Sequence, residues 1–314
     1  MRAFDIVTVG HFSIDHILPL KANAFKRALG GSPAYVSFSA RKLGARVGVI
    51  SKVGADFPMA YVNMLGRDGV DMFGFRRVKN VITTSFALEY SNGKRRLLLK
   101  SRAPPISLED VSLEFNTVTI HVAPIAGEIS SGIVDALRAK ADVLSLDPQG
   151  FLRQFDAKGE MSLKKWKANG ILEQVDVYKS SFGEARAIIG KSRLKTAMKR
   201  LGDFGIKIVI ITLGEKGTML FFDETFHRIP AFSPRRLIDP TGAGDVLAGA
   251  FLAEYLHKKD PLWCACVGSA AASFKVENFG PFFHTTKEAI YVRAMDLFEK
   301  MYADRDAQRV IGAK

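Results

Sequence analysis

The chain predicts an α/β fold with a mostly parallel central sheet, and three observations carry that expectation. Short β-branched runs at residues 6–9, 47–50, 118–122, 143–146, 175–178 and 208–212 alternate with longer stretches of helical periodicity. The run at 208–212, Ile-Val-Ile-Ile-Thr, is apolar until its last residue, as a strand covered on both faces must be. The glycine-rich stretch Asp239-Pro240-Thr241-Gly242-Ala243-Gly244-Asp245 directly precedes small and apolar residues at helical spacing. Open α/β sheets take ligands at the carboxyl ends of their strands, so residues just after each run are the first candidates for function.

Taken in order, residues 5–10 read as a buried strand, followed by an extended region at 12–20. Leu29-Gly30-Gly31-Ser32-Pro33 combines a glycine pair with a serine suited to cap a helix and a proline suited to its first position, so a helix is expected from about residue 33. Two extended runs, 83–90 and 95–99, flank Asn92-Gly93, a strong hairpin signal. A hairpin interrupting a wound α/β chain tends to protrude, so segments 11–32 and 82–103 are expected to form a small β-sheet lid over the strand ends, with an ordinary edge hairpin as the alternative. After the strand at 208–212, Leu213-Gly214-Glu215-Lys216-Gly217 brackets a tight turn with two glycines, and Thr212 offers a hydroxyl to a phosphate. Helices are expected at 246–256 and 261–274.

The 314 residues, 47% hydrophobic and 25% charged, suit a soluble globular protein and are read as one domain over 1–314. Lys and Arg number 45 against 32 Asp and Glu, and the net charge of +13 favours anionic ligands. The basic residues are scattered, at Lys94-Arg95-Arg96, Lys164-Lys165 and 191–200, without interleaved aromatics. They read as solvated surface, and nucleic acid is not the expected partner. Cys264 and Cys266 sit two apart on a helical stretch and imply neither a disulfide framework nor a metal site. No apolar run reaches the length of a membrane span, and the N-terminus has strand rather than signal character, so a cytoplasmic location is expected.

The chemistry concentrates at 239–245. Amides of Gly242, Ala243 and Gly244 at a helix N-terminus attract an anion. The Asp245 carboxylate beside them is a poor anion ligand but suits a base that removes a proton from a hydroxyl attacking that anion. A helix cap is the plainer explanation, yet a cap needs one small or polar residue, whereas this turn strips bulk from several in succession. Anion site plus base points to phosphoryl transfer.

These features, in this order, resemble the PfkB/ribokinase family of small-molecule kinases: Gly30-Gly31 early, Asp147 with Arg153 in the middle, Thr212-Leu213-Gly214 with Gly217, and the late Asp239 to Asp245 motif. The resemblance implies a ribokinase-like three-layer α/β/α sandwich with a β lid, ATP as phosphoryl donor and Mg2+ as its ion. It implies Asp245 as general base, the turn amides as anion hole, and Asp15, Gly30 and Gly31 at the acceptor. Glu184 matches the glutamate of the family's Asn-x-x-Glu motif, which organises magnesium and phosphate through water; here Ser181 stands at the Asn position. Thr212, Gly214, Gly217 and Thr241 fall on the nucleotide side, and Phe274, with Ala271 and Phe279-Gly280, is a candidate for an apolar adenine pocket.

Tyr35 stands where many members carry Asn in a sugar site. The segment Asp147-Pro148-Gln149-Gly150-Phe151-Leu152-Arg153 is similar to the Asp-x-Gln-Gly-Phe-x-Arg run of archaeal and plant myo-inositol kinases, so myo-inositol is the expected acceptor, with Gln149 serving its hydroxyls. Arg153 suits a phosphoryl group. A nucleoside kinase with Tyr35 or Phe12 stacked on a base is the alternative, and a nucleic-acid-binding protein that keeps a kinase-like fold is a third. Pairing through the lid hairpin would give a homodimer.

Overall fold

The computed structural model describes residues 2–19, 24–91, 94–168 and 170–312. In chain order the strands are β1 (Arg2–Val9), β2 (Ser13–Leu18), β3 (Lys26–Gly30), β4 (Val47–Val53), β5 (Asp71–Arg77), β6 (Ser85–Ser91), β7 (Lys94–Ser101), β8 (Phe115–Val122), β9 (Ala141–Leu146), β10 (Arg153–Phe155), β11 (Met161–Leu163), β12 (Val177–Ser181), β13 (Ile208–Thr212), β14 (Thr218–Phe222) and β15 (Thr225–Ile229). The helices are α1 (Ser32–Lys42), α2 (Met59–Arg67), α3 (Leu108–Val111), α4 (Ser131–Arg138), α5 (Gln149–Leu152), α6 (Phe182–Ile189), α7 (Leu194–Gly202), α8 (Ala243–Tyr255), α9 (Pro261–Val276) and α10 (Lys287–Gly312).

The main sheet runs β15-β14-β13-β12-β9-β8-β1-β4-β5. Strands β13 through β5 in that order are parallel, and β14 and β15 add an antiparallel edge. Alternate residues of a strand face opposite sides, and this pleat sorts the two cores. Ile208 and Ile210 join Tyr35, Phe251, Val267 and Ile290 on the face covered by α1, α8, α9 and α10. Val209 and Ile211 join Val134, Ala185 and Met198 on the face covered by α4, α6 and α7. The fold is therefore the expected α/β arrangement with helices on both sides.

A second sheet, ordered β3-β2-β6-β7, stands apart from the first. Its strands fall within 11–32 and 82–103; the Asn92-Gly93 turn between β6 and β7 lies outside the described residues. The β2–β6 pair is parallel while β2–β3 and β6–β7 are antiparallel. Its apolar side, with Ile17, Ala28, Phe86, Leu88 and Leu97, packs over Ile125 and Ala126, just beyond the end of β8. The outer edge of β7 is engaged within the chain: Leu99 N donates to Gly159 O at 2.8 Å, and Arg96 meets Glu160 at 3.0 Å. Both cysteines are free and buried, and no helix among the described residues is long and apolar enough to cross a membrane.

Candidate active site

Gly242 caps α8 with φ 75°, a left-handed conformation that glycine adopts without cost, and a Cβ there would lie 2.2 Å from the Tyr35 ring. Close packing of Tyr35 under the turn thus requires glycine. Asp245 falls in the first turn of α8, where Gly244 and Asp245 amides have no acceptor within the helix. Ala243 differs from the expectation: its amide turns back to Pro240 O at 3.3 Å, which closes the turn.

The Asp245 carboxylate is held by residues distant in sequence. Its Oδ1 accepts from Ser32 Oγ at 2.8 Å and from Gln149 Nε2 at 3.3 Å. Ser32 was expected to cap α1, but Gly31 occupies the cap and Ser32 opens the helix, which frees its hydroxyl to cross to α8. Gln149 Oε1 in turn accepts from Arg153 Nη2, and Arg153 Nη1 donates to Ile125 O at 3.1 Å. Arg153 is buried, with no hydrogen-bond partner for its Nε.

Lys179, the middle residue of β12 and absent from the sequence expectations, reaches into this group. Its Nζ lies 2.6 Å from Asp147 Oδ2, and a Cβ on Gly244 would come within 2.7 Å of it. Burial works against the ammonium, but the charges of Asp147, Asp245 and Glu184 outweigh it and hold Lys179 up at about 12. Burial pushes Asp147 up to about 6, with the neighbouring ammonium opposing. The upward shift of Lys179 keeps its ammonium charged, so a positive charge stands next to the turn. A lysine directly after the β-rich run at 175–178 was the available signal.

Across the cleft, Asp15 on β2 is buried and accepts from Ser13 Oγ at 2.7 Å. A Cβ on Gly30 would sit 2.1 Å from its carboxylate, so Gly30 makes room for Asp15. Burial raises Asp15 to about 7, against the pull of the Ser13 hydroxyl. Asp15, Gly31, Tyr35, Gln149, Arg153, Thr241, Gly242 and Asp245 line one small cleft open to solvent, and the lid contributes Arg95, Phe86, Leu88 and Leu97. Tyr35 is only 2% exposed, so it forms floor rather than a stacking surface. Phe12 is fully buried in a cluster with Phe57 and Phe75, which removes it as a base platform.

On the donor side, Ser181 and Thr212 are register partners at the ends of β12 and β13. Ser181 caps α6 and exchanges bonds with Glu184, whose Oε2 accepts from Ser181 N at 2.8 Å and Oγ at 2.7 Å. Burial would raise Glu184; Arg153 and Lys179 overcome that and keep the carboxyl below its usual range. Gly214 has open space where a Cβ would stand, whereas one at Gly217 would strike Ile229 O at 2.1 Å, so Gly217 serves the β14–β15 packing. Thr241 Oγ1 pairs with Tyr90 Oη of the lid at 2.7 Å.

Phe274 departs from the expected adenine pocket: the Arg293 guanidinium covers its ring at 3.5 Å, and Ala271 is core. Phe279 packs against the lid cluster. For a metal, no group of three or more acidic, His or Cys ligands occurs among the described residues. Mg2+ usually keeps several waters and takes one or two carboxylates plus substrate phosphates, and Glu184 is the carboxylate that would serve it on the donor side.

Residues 3–287 match the pfkB family carbohydrate kinase model. The cytidine kinase of Thermococcus kodakarensis is 28% identical over 284 residues, covering 88% of this chain and 97% of its own. The nucleoside kinase of Methanothermobacter thermautotrophicus is 27% identical over 297 residues, covering 88% and 90%. A solved pyrophosphate-dependent kinase of the ribokinase family, complexed with a pyrophosphate analog and myo-inositol, superposes with a TM-score of 0.79 at 25% identity, covering 91% of this chain and 99% of that one. The chain belongs to the pfkB family of carbohydrate kinases, phosphotransferases acting on hydroxyl groups of sugars or nucleosides.

Proposed function

We propose that the protein is a cytoplasmic kinase that transfers the γ-phosphoryl group of ATP to a hydroxyl of a small polyol, with myo-inositol as the preferred acceptor. The observation that carries this reading is the convergence on one cleft of the Asp245 carboxylate, the start of the α8 turn and the buried Asp15, with the Lys179 ammonium behind Gly244. Asp15 accepts hydrogen bonds from acceptor hydroxyls. As one acceptor oxygen bonds to the γ-phosphorus, Asp245 takes its proton, and the bond to the β-phosphate oxygen breaks to release ADP. Ser32 and Gln149 keep Asp245 aimed at that hydroxyl. The turn amides, Lys179 and Arg153 bear the negative charge of the transferred group. Mg2+, held near Glu184, would supply further neutralisation of the donor phosphates.

The polyol choice is supported by the ring of polar groups from Ser13, Asp15, Ser32, Arg95, Gln149 and Arg153 around a small cleft. A nucleoside acceptor is the second reading. It is favoured by the apolar wall of Phe86, Leu88, Leu97 and Ile125, which suits a base, and by the names of the two curated relatives. Initial rates with myo-inositol, ribose, fructose, cytidine and adenosine, each with ATP or pyrophosphate as donor, test both choices. Highest kcat/KM on myo-inositol with ATP is expected. Turnover confined to nucleosides would replace the acceptor, and turnover confined to pyrophosphate would replace the donor.

A further inference from the structure

Lys275 lies near the end of α9 with its side chain wholly buried, at 0% exposure, and the reaction described above gives it no part. Its Nζ donates to Asp239 O at 2.7 Å, to Asn278 O at 3.2 Å and to Asp239 Oδ2 at 3.3 Å. A dehydrated ammonium has three protons to satisfy, and three oxygens meet them. Two are backbone carbonyls and one is a carboxylate. Oxygens of this kind, turned inward on a single positive charge, are also what replaces water around a bare monovalent cation.

The segments that supply those oxygens are the ones that shape the phosphoryl turn. Ile238 N and Asp239 N both donate to Val276 O, at 2.8 and 3.2 Å. Asp239 Oδ1 accepts from Thr241 N at 2.9 Å, and Oδ2 accepts from Gly280 N at 3.1 Å. The ammonium also stands 5.8 Å from the centroid of the Tyr35 ring, on which Gly242 packs. Without a positive charge at the centre, the Asp239 and Asn278 carbonyls would lose their shared donor, and the Asp239 carboxylate would face them with only the Thr241 and Gly280 amides to hold it. The start of the turn at 239–245 would then lose its fixed position against α9.

We propose that Lys275 is a tethered monovalent cation for the phosphoryl turn: its ammonium fills a cage that K+ or NH4+ from solution would otherwise enter, so the turn is organised without an external ion. The proposal rests on the phosphotransfer reading of that turn. Lys275 touches no reactant and acts through Asp239 and the turn, as a positioning residue.

The test compares wild type, Lys275→Ala and Lys275→Gln in KCl, NH4Cl, NaCl and tetramethylammonium chloride at equal ionic strength, the last cation being too large for the cage. Wild-type kcat is expected to be the same in all four salts. Lys275→Ala in tetramethylammonium chloride is expected to lose on the order of 10²-fold in kcat, the scale of a small misplacement of reacting groups. Its acceptor KM should change little, and K+ or NH4+ should restore much of the lost kcat. Lys275→Gln fills the cage with a neutral group and should be slow in every salt. Severalfold activation of wild type by K+ would overturn the proposal, whether or not the variants fold. Folded Lys275→Ala that keeps wild-type kcat, or that K+ and NH4+ fail to revive, would overturn it too. Melting temperatures give an arm independent of turnover: K+ should raise that of Lys275→Ala more than tetramethylammonium does and leave wild type unmoved. That shift in a protein inactive on every acceptor would mean the cage is right and the kinase reading wrong.

Discussion

The turn at 239–245 and the lid face each other across the cleft, and they are built on opposite plans. In the turn nearly every polar group is tied to a fixed partner: Asp239 to Lys275, Thr241 N and Gly280 N, and Asp245 to Ser32 and Gln149. The lid offers the cleft an apolar face of Phe86, Leu88 and Leu97 with Arg95 at its rim, and a fixed polar pair there is Ser13 with Asp15 on β2. Electrostatic catalysis depends on dipoles and charges that do not reorganise, whereas acceptor choice depends on shape and on which hydroxyls find partners. The difference teaches that the turn should govern kcat and the lid should govern KM.

The sharpest break comes at the base. Asp245→Asn keeps the Ser32 contact and the turn geometry but cannot take the proton, and kcat is expected to fall by about 10³- to 10⁴-fold with donor affinity preserved. Rapid-quench turnover beside calorimetric ADP binding checks this; kcat within tenfold of wild type would remove Asp245 from the base role. Next comes the ammonium. Lys179→Met should cost about 10²- to 10³-fold in kcat, as for loss of one oxyanion donor. It also strands Asp147, so about 3 to 5 kcal/mol of stability goes with it. Asp147→Asn leaves the ammonium beside Gly244 and should destabilise with a smaller loss of kcat. Equal losses of kcat in the two variants would make Lys179 merely structural.

The same contrast explains what the amino-acid order disclosed. The parallel strands were legible because β-branched runs and alternating burial are local signals, and the 239–245 motif was legible because its glycines and Asp245 are contiguous. Ser32, Gln149 and Lys179 meet around Asp245 from α1, α5 and β12, and no local pattern reports that meeting. Ser32 was read as a cap because Ser before Pro is the commoner local solution; the tertiary bond to Asp245 and the Gly31 cap displaced it. Phe274 had the periodicity of a pocket residue, but whether an aromatic faces a ligand depends on what covers it, and Arg293 does. Lys275, a lone cation among the apolar residues of α9, was a signal of the same kind as Lys179 and was equally silent about its partners.

On the lid side the expected effects are smaller and fall on binding. Asp15 is raised to about 7 mainly by burial. Between the ordinary carboxylate range and pH 7 the folded state holds a proton that the unfolded chain has released, so this group's contribution to stability falls as pH rises through that window. Asp15→Asn removes the cost of the buried charge and is expected to add up to about 4 kcal/mol of stability above pH 7 and little near pH 4. It also weakens acceptance from substrate hydroxyls, so acceptor KM should rise about 10- to 10²-fold. Urea denaturation at pH 4.5 and pH 8, with KM at pH 8, measures both halves. A variant less stable than wild type at pH 8 would mean that Asp15 is paired more strongly than its burial suggests.

The smallest effect tests whether lid and turn communicate at all. Tyr90 Oη and Thr241 Oγ1, 2.7 Å apart, join β6 of the lid to the residue before Gly242. A neutral hydrogen bond of this kind contributes about 0.5 to 1.5 kcal/mol. Tyr90→Phe and Thr241→Val are therefore each expected to raise acceptor KM by about 2- to 10-fold while kcat stays near wild type, because the Asp245 contacts are untouched. The double variant should lose less than the two singles combined, with a coupling of about 1 kcal/mol. Strict additivity would show the lid closing independently of the turn. A loss in kcat rather than KM would show the opposite: that the turn takes its catalytic shape from the lid, and that acceptor binding and phosphoryl stabilisation are one event on this fold.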